Sequence, residues 1–244
     1  SHLVASTIPN CVSYDPTFAY ELAVIIQDGL RRMYQEQEDV YYYITVMNEN
    51  YTHPEMPAGA EKGILKGMYL FRDNDRKSKN LRIQLLGSGT ILREVIAAAD
   101  ILKRDFAIDA DIWSVTSFNE LRREALSVTR WNMLHPTKPS KTSHVENCFK
   151  GREGPVVAAT DYMKIYADQI REFVPGVYRV LGTDGFGRSD TREKLRQFFE
   201  VDRYYIVIAA LKALAESGKI ADKQVAQAIR TFGIDPDKPN PTTI

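Results

Sequence analysis

The sequence predicts an α/β fold in which a mostly parallel sheet is covered by helices on both faces. Three observations carry this. From Leu81 onward, short apolar or β-branched runs alternate with segments of helical apolar periodicity, the order of parallel strands joined by crossover helices. The junctions carry glycine turns or helix-capping residues. The composition is that of an ordinary globular chain, 244 residues with 44% hydrophobic and 26% charged, which excludes collagen-like, low-complexity and wholly disordered classes.

Ahead of the regular region, Asp15 is placed to cap a helix opened by Pro16 and running to about residue 34, with Phe18, Leu22, Ile25 or Ile26 and Met33 on one face. Val40 to Met47 is dense in β-branched and aromatic residues and reads as a strand. Residues 48 to 80 read as a linker with one short helix, because His53-Pro54, Met56-Pro57 and glycines 59, 63 and 67 interrupt any period. Leu81 to Leu86 is a strand, Gly87 to Gly89 a turn, and Thr90 to Lys103 a helix with Ile91, Val95, Ala98 and Leu102 on one side. Ala110 to Val115 is the next strand, and Ser117 with Glu120 has capping-box spacing ahead of a helix through Trp131. Residues 135 to 154, rich in Pro, Lys, Ser and Gly, read as an exposed loop. Pro155 to Ala159 follows as a strand, Asp161 as the cap of a helix through Phe173, and Val177 to Leu181 as another strand. The Gly182 to Gly187 turn leads to a second capping box, Asp190 with Glu193, and a helix through Phe199. Helices over about 203–217 and 222–232 close the chain, the last stopped by Gly233. The expected division is 1–50 as the end of one α/β domain, 51–80 as linker and 81–244 as a second α/β domain.

Thirty-two Lys and Arg balance thirty-two Asp and Glu, so no broad electrostatic drive toward nucleic acid or an anionic membrane exists. No apolar run approaches the roughly 18–20 residues of a membrane span, and no basic-then-apolar leader opens the sequence. Cys11 and Cys148 form neither a disulfide framework nor a metal-ligand spacing. These features together lead to the expectation of a soluble, cytoplasmic protein with no nucleic-acid or membrane partner. Ser1 in place of Met fits a portion of a longer chain. His2, His53, His135 and His144 lack metal spacing, and no Ser or Cys occupies a nucleophile elbow. Tyr41 to Tyr43 with Tyr51 suit packing better than base stacking, because alternate strand residues face opposite ways and the surroundings are not basic.

Two loops are possible anion or docking sites. Gly87-Ser88-Gly89-Thr90 precedes a helix whose N-terminus favours an anion, yet Leu92 stands where a dinucleotide fingerprint has its third glycine and no P-loop lysine follows; a structural turn is favoured. Gly182 to Asp190 places Asp184, Gly185, Gly187 and Arg188 at a strand exit, where open α/β sheets build sites. It lacks the alternating ligands of a calcium loop, and a tight turn with Ser189 or Asp190 as helix cap is favoured.

Longer strings point further. Thr7-Ile-Pro-Asn-Cys-Val-Ser-Tyr-Asp-Pro16, Tyr41-Tyr-Tyr-Ile-Thr45, Asn48-Glu-Asn-Tyr51, Leu86-Gly-Ser-Gly89, Ser114-Val-Thr-Ser-Phe118, Arg130-Trp-Asn-Met-Leu-His-Pro136, Thr160-Asp-Tyr-Met163 and Tyr178-Arg-Val-Leu-Gly-Thr-Asp-Gly-Phe-Gly-Arg-Ser-Asp190 together resemble the homodimeric, bacterial type of pyruvate dehydrogenase first component. The resemblance covers nearly the whole chain, apart from the variable 72–80 and 137–154 loops, and it is to the C-terminal portion of that family. It implies that residues 1–50 end a middle, pyrimidine-binding domain and that 81–244 form a transketolase-type C-terminal domain, a three-layer α/β/α fold. It implies, for the whole enzyme, thiamine diphosphate and Mg²⁺, decarboxylation of pyruvate, and transfer of the acetyl unit to lipoyl groups of the dihydrolipoyl acetyltransferase component. The family's diphosphate and Mg²⁺ ligands and its activating glutamate lie in earlier domains, so no cofactor or metal and no catalytic residue is expected in these residues, His2 being the one candidate to approach the active site. A dimerisation or scaffold role follows, with partner docking or regulatory anion binding as the alternative. In transketolases the strand end matching Asn48 offers an arginine that clamps a sugar phosphate; Asn48-Glu49-Asn50 has none, as suits a substrate without phosphate.

Overall fold

The computed structural model describes residues 1–74 and 77–244. Its centre is a five-stranded sheet of β3 (Met68–Arg72), β4 (Leu81–Gly87), β5 (Ile108–Val115), β6 (Val156–Ala159) and β7 (Tyr178–Leu181), in the order β3-β5-β4-β6-β7. The four later strands are parallel, while β3 runs antiparallel to β5 at one edge. Every residue of β5 is buried, as a central strand covered on both faces requires.

The period of two along the strands divides the core. Ile83, Leu85, Ile108, Ala110, Ile112, Val157 and Ala159 face one layer. That layer is built by α4 (Ile91–Phe106), α9 (Arg203–Glu216) and α10 (Asp222–Thr231). Leu86, Trp113, Val115, Val156 and Ala158 face the other, formed by α5 (Phe118–Leu134), α6 (His144–Phe149) and α7 (Lys164–Asp168). This is the three-layer α/β/α arrangement. Within the second layer one polar group is fully engaged: Trp113 Nε1 donates to Gln84 Oε1 at 2.9 Å, and Gln84 Nε2 donates to Asp111 Oδ2 at 2.9 Å.

Ahead of this sheet the chain forms α1 (His2–Ala5), β1 (Cys11–Tyr14), α2 (Ala19–Leu30), β2 (Tyr41–Ile44) and α3 (Glu61–Lys66). β1 and β2 make a separate two-stranded parallel sheet, Cys11 opposite Tyr41. Strand β1 and helix α1 fall where the sequence showed no element. The helix expected from Pro16 starts at Ala19, and Asp15 does not cap it; the Glu21 carboxylate instead receives the N–H groups of Thr17 and Phe18. Ile25 is fully buried, but Ile26 and Met33, at 46% and 37% exposure, lie outside the buried face.

Other expectations are corrected in the same way. The stretch read as a linker with one short helix holds that helix and also β3. The expected 135–154 loop contains α6, opened by a capping box in which Ser143 Oγ receives the Glu146 N–H and the Glu146 carboxylate receives the Ser143 N–H. Ser117 caps α5 through the Glu120 N–H, but its own N–H goes to Gly67 O, so the box is half formed. Asp161 caps nothing: α7 begins at Lys164, its N–H donated to Asp184, and ends at Asp168, well short of Phe173. Helix α8 (Arg192–Phe198) is capped by Thr191 and not by Ser189 or Asp190, whose carboxylate, in Asp190, accepts the Thr191 N–H.

Gly67 ends α3 at φ +100°, where a Cβ would press on the Ser117 carbonyl. Gly67→Ala should destabilise the chain by about 2 kcal/mol or more, since strain and contact act together, whereas Ser143→Ala should cost about 1 kcal/mol for a lost cap; urea unfolding midpoints check the order.

Candidate functional site

In an open parallel sheet the backbone amides and helix N-termini beyond the strand ends converge where the strand order reverses, which is where ligands bind. Here that point lies between β4, which connects to β5 on one side, and β6, which lies on the other. Two turns meet there, and Ser88 Oγ lies 2.9 Å from Thr160 Oγ1.

The crevice is filled by the chain's own residues 15–17. Asp15 N donates to Thr116 O at 2.7 Å, Gly89 N donates to Asp15 O at 3.1 Å, and Ser88 N donates to Ala159 O at 3.3 Å. Thr17 Oγ1 donates to Gly89 O at 2.6 Å. Gly89 sits at φ +51°, and a Cβ there would lie 2.6 Å from Asp15 Oδ2. Ser88 and Thr90 are buried. The Ser88 and Gly89 amides are therefore committed to carbonyls and the Asp15 carboxylate stands over Gly89, which opposes a diphosphate there. Among the described residues no three His, Cys, Asp or Glu converge as metal ligands.

Burial governs the titration of the plug. Desolvation pushes the Asp15 carboxyl up to about 7, although the Thr45 and Ser88 hydroxyls favour its ionised form. Thr45 Oγ1 donates to Asp15 Oδ1 at 2.8 Å and lies 2.9 Å from His2 Nε2. With the hydroxyl proton given to Asp15, Nε2 must carry the imidazole hydrogen, and Nδ1 is left buried without a partner. Rings of Tyr43, Tyr162 and Tyr166 enclose His2 with centroids at 5.3, 4.8 and 4.9 Å. Burial brings its pKa down to about 4, so it is a neutral imidazole at pH 7.

Glu21 makes the second polar tie. Its carboxylate receives Thr17 N–H at 2.5 Å, Phe18 N–H at 3.0 Å, the Tyr69 hydroxyl at 2.7 Å and the Ser114 hydroxyl at 2.6 Å. Burial raises its pKa and those donors oppose the rise. A third tie is half-buried: Glu49 holds Arg93 at 2.5 Å and Arg196 at 2.8 Å, and the buried Glu94 holds Arg203 at 2.8 Å. These acids were not singled out from sequence, because no local spacing announces partners so distant in the chain.

The second loop is tied to the turn after β6, where Thr183 donates its N–H to Tyr162 O at 2.8 Å and its hydroxyl to Asp161 O at 2.9 Å. Asp184 is spent on α7, Gly185 at φ +116° packs against Pro241, and Arg188 places its guanidinium 4.5 Å from the Phe198 ring centroid.

The family described as the transketolase-like TK C-terminal domain matches residues 67–202, and the chain belongs to it. The family described as the pyruvate dehydrogenase E1 component middle domain matches residues 1–54. Over its whole length the chain is 63% identical to the pyruvate dehydrogenase E1 component of Cupriavidus necator, covering 27% of that relative. It is 65% identical to that of Pseudomonas aeruginosa over 99% of the chain, and 56% identical to that of Escherichia coli over 99%, again covering 27% of each. The chain thus spans about a quarter of the length of the curated relatives it matches. Among solved structures, transketolase from Campylobacter jejuni superposes with a TM-score of 0.60 at 15% identity, over 86% of this chain and 27% of that one. A split-gene transketolase described as an inactive beta4 tetramer gives 0.56 at 14% identity, over 88% and 60%. These superpositions share the fold.

Because Asp15 titrates near 7 when folded and near 4 when unfolded, folding takes up a proton between those values, and its contribution to stability is lost as pH rises from about 4 to about 7. His2 acts oppositely, its contribution being lost as pH falls from about 6.5 to about 4. Wild type minus Asp15→Asn should isolate the first effect: the stability difference should fall by on the order of 4 kcal/mol between pH 4 and pH 8, as read from urea unfolding at several pH values. A difference independent of pH would mean that Asp15 is ionised throughout.

Proposed function

We propose that the chain is the C-terminal portion of a pyruvate dehydrogenase first component (acetyl-transferring), and that this portion serves as scaffold and dimer contact with no catalytic residue of its own. The observation that carries the reading is the identity of 63% over all 244 residues to a relative of which the chain covers 27%. On this reading 1–50 end the middle domain and 51–80 link it to the C-terminal domain of 81–244, whose sheet takes β3 from the link as its antiparallel edge. The plugged crevice supports it, because the fold's usual ligand position is spent on joining these parts.

The whole protein, an oxidoreductase of the cytoplasm acting as a homodimer, would decarboxylate pyruvate and pass the acetyl unit to lipoyl groups of the dihydrolipoyl acetyltransferase component. Thiamine diphosphate with Mg²⁺ supplies the carbanion chemistry there, held by domains that precede these residues. What this chain contributes is fixed geometry: Glu21, Asp15 and Asn119 lock the end of the middle domain to the sheet, and His2 is held as a neutral imidazole at the joint. A second reading, a regulatory anion-binding or partner-docking module, is favoured by the arginines beside the Gly182–Asp190 loop.

Full-length protein should release CO₂ from pyruvate in the presence of thiamine diphosphate and Mg²⁺, while the 244-residue chain should show neither turnover nor calorimetric binding of the cofactor. Turnover by the isolated chain, or a full-length protein inert toward pyruvate, would overturn the assignment. Capture of the acetyltransferase component by the isolated chain would move the second reading ahead of the scaffold role.

A further inference from the structure

Charge is not evenly settled around α8. Glu49 and Glu94 are each committed, to Arg93 and Arg196 and to Arg203. Among the described residues, two arginines hydrogen-bond to no carboxylate. Arg192 donates to Asn48 Oδ1 at 2.5 Å and reaches Glu49 only at 3.7 Å. Arg188 has the Phe198 ring beneath it. Two acids of the loop are engaged elsewhere, Asp184 with the Lys164 N–H and Asp190 with the Thr191 N–H, and the exposed Glu193 follows Arg192 on α8.

Both arginines border one cavity of about 370 Å³, at the lower end of the range for small-molecule sites. Met47, Leu195, Phe199 and Val201 give it an apolar wall, and Asp161 lies in its lining. Burial raises the Asp161 pKa, while Arg196 and Arg192 oppose the rise and Glu49 adds to it. Beside the Glu49-paired Arg196, which also lines the cavity, the Arg188 and Arg192 guanidiniums at an apolar wall match a ligand with one anionic head and a short hydrocarbon body, because Arg binds carboxylate and phosphate with paired N–H groups.

We propose that the cavity between the Gly182–Asp190 loop and α8 is a binding site for a small organic anion, a carboxylate or a phosphate ester, gripped by Arg188 and Arg192. It gives residues and a ligand class to the anion-binding reading above and rests on that reading, not on the scaffold role.

The test is calorimetric titration of the 244-residue chain, repeated on full-length protein, with butanoate, butyl phosphate and inorganic phosphate at constant ionic strength. Saturable binding of butanoate or butyl phosphate in preference to inorganic phosphate is expected, and which of the two binds tighter identifies the head group. Arg188→Ala and Arg192→Ala should each weaken binding about ten-fold or more. Met47→Glu, which sets a carboxylate at the exposed mouth, should abolish it in a chain whose circular dichroism is unchanged. Arg230→Ala, at an exposed arginine of α10 bonded to Gln227, should bind as wild type. No saturable binding of any probe, or equal loss in Arg230→Ala, would overturn the site. Pyruvate decarboxylation by the full-length protein, measured beside it, separates failure of this site from failure of the parent assignment.

Discussion

Burying a carboxylate is tolerable only where several donors converge on it, and that requirement organises this molecule. Glu21 is buried with backbone N–H groups from its own helix start on one oxygen and the hydroxyls of Tyr69 and Ser114 on the other. Those hydroxyls belong to β3 and β5, so one side chain fixes where α2 begins and how it sits on the sheet edge. Had Glu21 been apolar, the first turn of α2 would lack its cap and Ser114 would lose its acceptor. Strand β3 is thereby included in the arrangement: Tyr69 is held by the carboxylate and by the Tyr20 hydroxyl at 2.6 Å, which makes the antiparallel edge strand part of the joint.

Around this anchor the other contacts between the N-terminal segment and the sheet are also polar and specific. Asn119 Nδ2 donates to His2 O at 2.8 Å and to Ser13 Oγ at 2.6 Å, and Ser117 Oγ donates to Ser13 O at 2.6 Å. Arg123 donates to Cys11 O at 2.9 Å. The outer edge of β1 is thus satisfied by side chains of α5 in place of another strand. Apolar contacts complement these bonds, with Phe18 entering the same cluster as Ile83 and Val95. The crevice that the fold makes available for a ligand is consequently occupied by a joint.

Much of the central architecture is legible in the sequence. Parallel strands buried on both faces read as short apolar runs, α4, α5 and α10 carry amphipathic patterns and α9 a long, mostly apolar one, so these elements fall within a few residues of expectation. What was not legible depends on contacts distant in the chain. Cys11-Val-Ser-Tyr14 is four residues between two prolines and becomes a strand only against Tyr41–Ile44. Met68–Arg72 follows directly on a helix and a glycine and is defined by β5. Asp15 and Asp161 have the form of helix caps, yet the joint draws the first into the crevice and Asp184 takes the task assigned to the second. Helix α6 was within reach, for Ser143 and Glu146 have the spacing of the box they form, but the surrounding Pro, Lys and Gly residues outweighed it. Of the site, the glycine loops were found by their turns; the Glu49 and Glu94 ion pairs, spread over three segments, left no local trace.

The joint also has a mechanical meaning. Apolar faces can slide past one another at little cost, whereas hydrogen bonds hold only within a narrow range of distance and angle. A seam closed by Glu21, Asp15, Asn119 and Ser117 resists shear in every direction at once. Displacement of β1 and α2 relative to the sheet would have to break these bonds together, so the two pieces should turn as a single lever.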